Sequence, residues 1–212
     1  MKRSSGFIIG AVLLGLIAGC EEAPKNLPVL GPYTVEDEIV DGVLKTDTIY
    51  TSVKSFSFTD QDGQTVDHST IEGKVYVTDF FFTSCPTICP KMKQQMLRIY
   101  ENYQDDPNVV LLSHSIDPNR DSVARLKNYA DKLGIQSKTW HLVTGDRDEI
   151  YDMAKHYMIA AQEDPLAPGG YAHSGAFLLV DRNKQVRGIY DGTNPDEVSD
   201  LMEDLEFLLH EP

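Results

Sequence analysis

An apolar run, followed directly by a cysteine-containing turn and an amphipathic segment, constrains the fold of this chain most. Residues 75–82 (VYVTDFFF) are rich in β-branched and aromatic side chains and have the length of a strand buried on both faces. Beyond the turn, apolar residues recur at the spacing of one helix face: Met92, Met96, Ile99, Tyr100 and Tyr103. The sequence therefore predicts a strand–turn–helix unit inside an α/β domain.

The rest of the chain alternates between predicted strands and helices. Strands are predicted at residues 109–116 and 140–143, helices at 122–133 and 148–158, a loop at 162–170, paired strands at 173–180 and 185–190, and a last helix at 196–209. Ahead of them, the Asp-Gln-Asp-Gly turn at residues 60–63 predicts a hairpin within 55–66. This order indicates an α/β fold with a mixed central sheet flanked by helices and an added N-terminal β-hairpin.

The amino terminus has the pattern of an export signal. Lys2 and Arg3 precede a weakly polar or apolar run at residues 4–19, which is short for a membrane span. The stretch LIAGC at residues 16–20 resembles the lipobox of bacterial lipoproteins, and this resemblance implies that Cys20 is the site of lipid attachment. An uncleaved anchor helix is the alternative. Both place the rest of the chain in the bacterial cell envelope, tethered to the membrane on its extracytoplasmic side.

The segment between the signal and the first predicted strand has three prolines and little periodicity. We therefore expect a signal peptide at residues 1–19, a linker at 20–47 and one folded domain at 48–212. The whole chain has 19 Lys and Arg against 33 Asp and Glu, a net charge of −14. Such a charge argues against a nucleic-acid partner, whose phosphates are bound by basic patches, and against attraction to anionic lipids, so the tether must hold the protein at the membrane.

The remaining two cysteines, Cys85 and Cys89, lie at the carboxyl end of the first predicted strand, where α/β sheets place their sites. Pro90 suits the first position of a helix, which would put Cys89 at the N-cap, where the helix dipole favours thiolate. If the helix instead begins at Pro86, the spacing of four stacks both sulfurs on one face. Either arrangement lets the pair form a disulfide or hold a soft metal ion.

Two other interpretations of the cysteine pair are weaker. The first is that both thiols are buried and inert. An exported chain whose two remaining thiols both lie in one turn is not typical of such an inert pair. A structural zinc site takes four protein ligands, and the sequence has no second C-x-x-C or H-x-x-x-H pattern. The sequence therefore favours redox or soft-metal chemistry at the pair.

From about residue 56 to 209 the chain resembles the Sco/SenC family, thioredoxin-like copper-binding proteins that serve assembly of the dinuclear copper centre of cytochrome c oxidase. The resemblance is carried by FFFTSCPTICP at 80–90, with its C-P-x-x-C-P core, and by SIDPNRD at 115–121, which resembles S-x-D-P-x-R-D. Thr144-Gly145 and His173-Ser174 follow in the family's order. The resemblance implies that Cys85, Cys89 and His173 are copper ligands. If the protein also carries out redox chemistry, Cys85 and Cys89 are the redox-active pair.

One position departs from the family pattern, because Ala172 precedes His173 where the family usually has aspartate. A carboxylate there would orient the imidazole or meet a partner, so its loss bears on copper affinity or partner choice while the ligand set stays intact. The resemblance implies three partners: the copper-centre subunit of cytochrome c oxidase, a copper donor and a thiol reductant.

Three classes of function remain open on this sequence. A copper metallochaperone would bind Cu(I) and Cu(II) through two Cys and one His, a thiol–disulfide oxidoreductase would cycle the same cysteines, and a copper or redox sensor would use the site to regulate a partner. The chaperone is favoured. We expect a chaperone and not an enzyme, although thiol–disulfide reductase activity can coexist with copper transfer.

Three other residues near these motifs have plain structural interpretations. His114 lies on a predicted strand, so packing in the core is favoured. Asp117 precedes Pro118 and suits a turn or a cap, with catalysis or docking as the alternative, and Asp121 suits the N-cap of the helix predicted at 122–133.

Overall fold

Two β-hairpins and a single helical turn precede the main sheet in the computed structural model, which describes residues 26–211. The elements are β1 (Tyr33–Val40), β2 (Val43–Tyr50), β3 (Ser57–Thr59), β4 (Thr65–Asp67) and α1 (His68–Ile71). Strands β3 and β4 form the hairpin predicted around residues 60–63. The signal expected at residues 1–19, together with Cys20, lies outside the described residues.

The first hairpin is a departure from the sequence expectation, because β1 and most of β2 fall in the segment predicted to be an irregular linker. The two strands turn at Asp41 and Gly42, whose φ angles are 54° and 79°. Asp-Gly with two positive φ angles is a favoured hairpin turn. The strands hide this signal because acidic and apolar residues are mixed along them, and both faces are exposed. Regular structure thus begins well before residue 48.

The main part of the domain alternates between strands and helices as predicted. Its elements are β5 (Val75–Phe81), α2 (Cys89–Tyr103), β6 (Val109–Ser115), α3 (Val123–Leu133), β7 (Trp140–Val143), α4 (Arg147–His156), β8 (Ala161–Glu163), a 3-10 turn (Pro168–Gly170), β9 (Tyr171–His173), β10 (Ala176–Val180), β11 (Val186–Asp191) and α5 (Pro195–His210). Five strands form one sheet in the order β11-β10-β5-β6-β7. Strands β5, β6 and β7 are parallel, whereas β10 runs antiparallel to both β5 and β11, so the sheet is mixed as expected.

Helices cover both faces of this sheet. Side chains of β5 alternate between the two faces: Val75, Val77 and Phe81 pack with α2, α3 and α5, while Tyr76 and Phe80 pack with α4 and the β3–β4 hairpin. All seven residues of β5 are buried, as the apolar run predicted. The cysteine turn therefore emerges at the carboxyl end of the central strand, between two packed layers.

The predicted strand at residues 173–180 is divided in the structure. Residues 171–173 form β9, which pairs with β8 in a separate two-stranded sheet, and only residues 176–180 join the main sheet as β10. The loop predicted at 162–170 correspondingly begins with part of β8. His173 therefore belongs to a separate β8–β9 hairpin and not to the main sheet.

Candidate metal centre

Cys85 lies in the turn after β5, and Cys89 is the first residue of α2. Ile88 is the N-cap of α2, so Cys89 stands one position further into the helix than predicted. The helix does not begin at Pro86 either, so neither predicted arrangement of the pair is the observed one. Both thiols are free; Cys85 is partly exposed, whereas Cys89 is only 4% exposed. The turn thus offers one accessible and one buried sulfur.

His173 completes a cluster with these two sulfurs. Its Nε2 atom lies 3.4 Å from the Sγ of Cys89, and the donor atoms of all three residues lie within 4.8 Å of one another. The Nδ1 atom lies 2.9 Å from the carbonyl oxygen of Ser174. Because a carbonyl can only accept a hydrogen bond, Nδ1 must carry the proton, which leaves the lone pair of Nε2 directed at the cysteines.

The two thiols have different electrostatic environments. Partial burial acts to raise the pKa of Cys85, but hydrogen bonds from Cys89, from backbone amides and from Thr87 outweigh it, and the pKa lies below its ordinary value. Burial raises the pKa of Cys89 well above its usual range, and its neighbour Cys85 adds to that effect. Cys85 is therefore the thiol that ionises more readily. Burial also lowers the pKa of His173, which favours the neutral imidazole that a metal ion requires.

A match to the family model described as SCO1/SenC extends over residues 45–210, nearly the whole described chain. The chain belongs to the SCO1/SenC family. A SCO1/SenC family lipoprotein from Bacillus anthracis is 29% identical, with a TM-score of 0.68 over 75% of this chain and 95% of that one. BsSco, in which a disulfide switch has been identified, is a member of the Sco family of cytochrome c oxidase assembly proteins and is 28% identical. Its TM-score is 0.66 over 76% of this chain and 95% of that one. Bradyrhizobium japonicum ScoI, solved with copper bound, is 26% identical, with a TM-score of 0.59 over 74% and 99%.

These comparisons confirm the predicted family and the thioredoxin-like, mixed α/β fold of this SCO1/SenC protein. Among residues 26–211, no helix combines the length and the hydropathy needed to cross a bilayer.

The SIDPNRD segment of this SCO1/SenC protein has structural roles that the sequence only partly predicted. Asp121 is not the N-cap of α3, because Ser122 occupies that position and accepts from the backbone N–H of Arg125. Asp121 is instead fully buried and accepts hydrogen bonds from Thr83 and Ser115. A buried carboxylate with several donors stabilises the end of β5 immediately before the cysteines.

His114 packs in the core of the SCO1/SenC domain, as predicted. Its ring stacks on Phe80 at 4.9 Å and meets Phe58 edge-on at 5.3 Å, and neither ring nitrogen has a hydrogen-bond partner. Burial lowers the pKa of His114 to about 3, so the imidazole is neutral across the physiological range. It lies among aromatic rings on the face of the sheet away from α2 and is no part of the candidate metal centre.

Sequence analysis missed Asp79, a carboxylate within the buried run of β5. It lines a small pocket of about 20 Å³ together with Cys89, Tyr129 and Trp140. Burial raises the pKa of Asp79 to about 7, although the hydrogen bond from Ser113 opposes this shift. The available signal was the one charged residue in VYVTDFFF. A strand buried on both faces removes water from such a carboxyl group, and this loss of hydration disfavours its ionised form.

Proposed function

We propose that this protein is a copper metallochaperone, tethered in the bacterial cell envelope, that binds copper through Cys85, Cys89 and His173. It would serve assembly of the dinuclear copper centre of cytochrome c oxidase. The observation that carries the proposal is the convergence of two sulfurs and one unprotonated imidazole nitrogen within 4.8 Å. Copper bound to Bradyrhizobium japonicum ScoI, and the assembly role stated for the family of BsSco, support it.

The donor set suits a cargo that must be both held and released. Thiolates are soft ligands that favour Cu(I), and an imidazole adds the nitrogen ligand that Cu(II) prefers. Three protein ligands leave one side of the ion open, and Cys85 lies on the partly exposed side of the cluster. A copper-centre subunit of the oxidase could approach there and exchange ligands one at a time. A copper donor could deliver the ion by the same route.

Thiol–disulfide exchange is a second candidate function, and the asymmetry of the two thiols favours it. Cys85 is accessible and has a lowered pKa, as an attacking thiolate requires, while Cys89 is buried and positioned to resolve a mixed disulfide. The two thiols together would give two electrons and two protons to an acceptor disulfide. A thiol reductant would then have to restore the dithiol.

Replacing His173 by alanine separates these two functions. A disulfide needs only the two cysteines, whereas the copper site also needs the third ligand. We therefore expect His173→Ala to lower the affinity for Cu(II) by at least about 10–100-fold and the affinity for Cu(I) by less. The dithiol reduction potential should stay within about 30 mV of the parent value. The measurement is an anaerobic competition titration against a chelator for each copper state, beside a redox titration. His210→Ala, which removes an exposed imidazole on α5, is the matched control.

Two outcomes of this experiment would contradict the copper proposal. If His173→Ala binds both copper states as tightly as the parent, the third ligand has been misassigned. If the parent binds no copper but exchanges disulfides readily, the oxidoreductase function replaces the chaperone.

The tether is proposed to be a lipid on Cys20, with residues 1–19 removed as a signal peptide. Support comes from the lipobox-like LIAGC stretch and from the Bacillus anthracis relative, which is a lipoprotein. We expect Cys20→Ala to block processing of the signal or to release the protein from membranes, whereas Cys85→Ala should be processed normally. The measurement is membrane fractionation with metabolic labelling by a fatty acid. Unchanged processing, labelling and membrane retention in Cys20→Ala would exclude the lipid anchor.

A further inference from the structure

The segment from Ser115 to Asp121 contacts both halves of the candidate metal centre. Asp121 accepts from the backbone N–H of Thr83 at 2.9 Å and from its Oγ1 at 2.5 Å, two residues before Cys85. Asp117 accepts from the hydroxyl of Tyr171 at 2.8 Å, two residues before His173. One segment therefore holds the cysteine turn through one carboxylate and the histidine strand through another.

The histidine strand has few other attachments. In the described part of the chain, β9 pairs only with β8, which is itself three residues long. The ring of Tyr171 lies 5.1 Å from that of Phe82, which also meets His173 edge-on at 5.8 Å. These ring contacts press the strand against the end of β5 but do not fix its position along that surface. A hydrogen bond does, because it weakens steeply with distance and angle.

The Asp117–Tyr171 hydrogen bond is built into the protein interior. Asp117 is 1% exposed, and its Oδ1 atom accepts the phenol. The other oxygen, Oδ2, is buried without a hydrogen bond, and the Arg120 guanidinium lies 3.7 Å away. Without the Tyr171 hydroxyl, both oxygens of this buried carboxylate would lack a hydrogen bond, which is costly. The fold therefore favours the position of β9 in which this hydrogen bond is made.

We propose that Asp117 and Tyr171 are a positioning pair that holds His173 at the distance where its Nε2 faces both sulfurs. This inference rests on the proposed copper site and names the contact that sets its third ligand. Neither residue touches the ion, so they act through β9. Two thiolates alone can still hold Cu(I), whereas Cu(II) depends on the imidazole. The pair thus sets the preference of the site between the two copper states.

Tyr171→Phe tests this pair with the smallest change, because it removes the hydroxyl and keeps the ring that packs on Phe82. We expect Cu(II) affinity to fall about tenfold, the lower end of the effect of an outer-shell partner, with Cu(I) affinity and the dithiol potential unchanged. The visible and electron paramagnetic resonance spectra of the Cu(II) form should shift or become heterogeneous. Asp117→Ala should reproduce these changes, and Asp117→Asn, which keeps an acceptor oxygen, should restore parent behaviour.

The matched control is Tyr151→Phe, which removes a phenol of the same neighbourhood. That hydroxyl donates to the carbonyl of Ile116 at 2.9 Å and makes no hydrogen bond to β9. The control should lose stability comparably but leave the Cu(II) affinity and spectra as in the parent. A general loosening of the segment would move all of these variants together and would overturn the proposal.

A copper-independent readout separates this inference from the proposed function. Amide hydrogen exchange in the copper-free, reduced protein should be faster at β8 and β9 in Tyr171→Phe and Asp117→Ala, but not in Tyr151→Phe. If the parent binds no copper, the proposed function fails while this exchange pattern still supports the positioning pair. If His173→Ala weakens Cu(II) but Tyr171→Phe changes neither Cu(II) binding nor hydrogen exchange, the proposed function stands and the positioning pair is wrong.

Discussion

Replacing either Cys85 or Cys89 by serine is expected to weaken copper binding by roughly a hundredfold to a thousandfold. A structural zinc site of four thiolate and imidazole ligands supplies about 10–16 kcal/mol of metal affinity, so one ligand of this kind contributes roughly 2.5–4 kcal/mol. A neutral hydroxyl is a hard, weak ligand for Cu(I) and does not replace a thiolate. Both variants also lose the disulfide, so both copper transfer and thiol exchange should disappear together. The measurement is the competition titration used for the parent protein.

The two serine variants should differ in stability although both lose copper. Cys89 is buried among apolar side chains that include Met92 and Met96, so its replacement buries a hydroxyl there at a cost of about 1–3 kcal/mol. Cys85 is partly exposed, and its replacement should change the free energy of unfolding by less than about 0.5 kcal/mol. Urea unfolding of the reduced, copper-free proteins measures this difference.

Ser84→Ala, in the same turn but exposed, should retain both copper binding and stability. Parent-like copper affinity in either serine variant would mean that copper binds elsewhere on the chain.

Replacing Asp79 by asparagine is expected to remove a pH dependence of stability worth up to about 4 kcal/mol. The pKa of this carboxyl is raised from 3.8 to about 7 in the fold, a difference of about 3 units at about 1.4 kcal/mol each. Between pH 3.8 and about pH 7, the carboxyl group of Asp79 keeps its proton in the folded protein but has released it in the unfolded chain. Stability from Asp79 is therefore present in full below pH 4, falls as the pH rises, and is lost above pH 7.

The comparison between pH 4 and pH 8 isolates the effect of Asp79. Any fixed cost of fitting an amide beside Ser113 is the same at both pH values, so it cancels when the parent and Asp79→Asn are compared at each. The free energy of unfolding of Asp79→Asn, relative to that of the parent, should rise by several kcal/mol between pH 4 and pH 8. Urea unfolding of the reduced, copper-free proteins measures this difference.

Asp62→Asn is the control, because the fold raises the pKa of Asp79 whereas it lowers the pKa of Asp62. Its carboxyl lies at the surface, and hydrogen bonds from Ser137 and Lys127 lower its pKa, so its ionised form is the one that the fold favours. The free energy of unfolding of Asp62→Asn should therefore not exceed that of the parent at pH 8. Equal pH profiles for the parent and Asp79→Asn would show that Asp79 is ionised in the folded protein at neutral pH.

The order of the elements and the location of the cysteine chemistry could be predicted from the amino-acid sequence. The run VYVTDFFF encodes β5 because seven of its eight residues are apolar, aromatic or β-branched, a composition typical of a strand buried on both faces. The stripe of methionines encodes α2 through its helical spacing, and Gly134 ends α3 with a φ of 72°, as a left-handed cap requires. These signals are local, so a few neighbouring residues specify them.

Resemblance, and not spacing, selected His173 from the six histidines of the chain. A lone histidine carries no pattern, and its approach to Cys89 spans 84 residues of sequence. The separate β8–β9 hairpin that brings it there depends on which of two short segments pairs with which. That choice is made by tertiary packing, and for this reason the strand predicted at 173–180 is divided between β9 and β10.

The roles of the buried carboxylates depend on long-range contacts in the folded chain. Asp79, Asp117 and Asp121 are each ordinary turn or strand residues in sequence, and each finds partners 34, 54 or 38 residues away. Burial fixes their roles, because a carboxyl group out of water must either find donors or keep its proton. Local sequence specifies which residues form each strand and helix, whereas the partners of a buried polar group depend on distant segments that meet only in the folded chain.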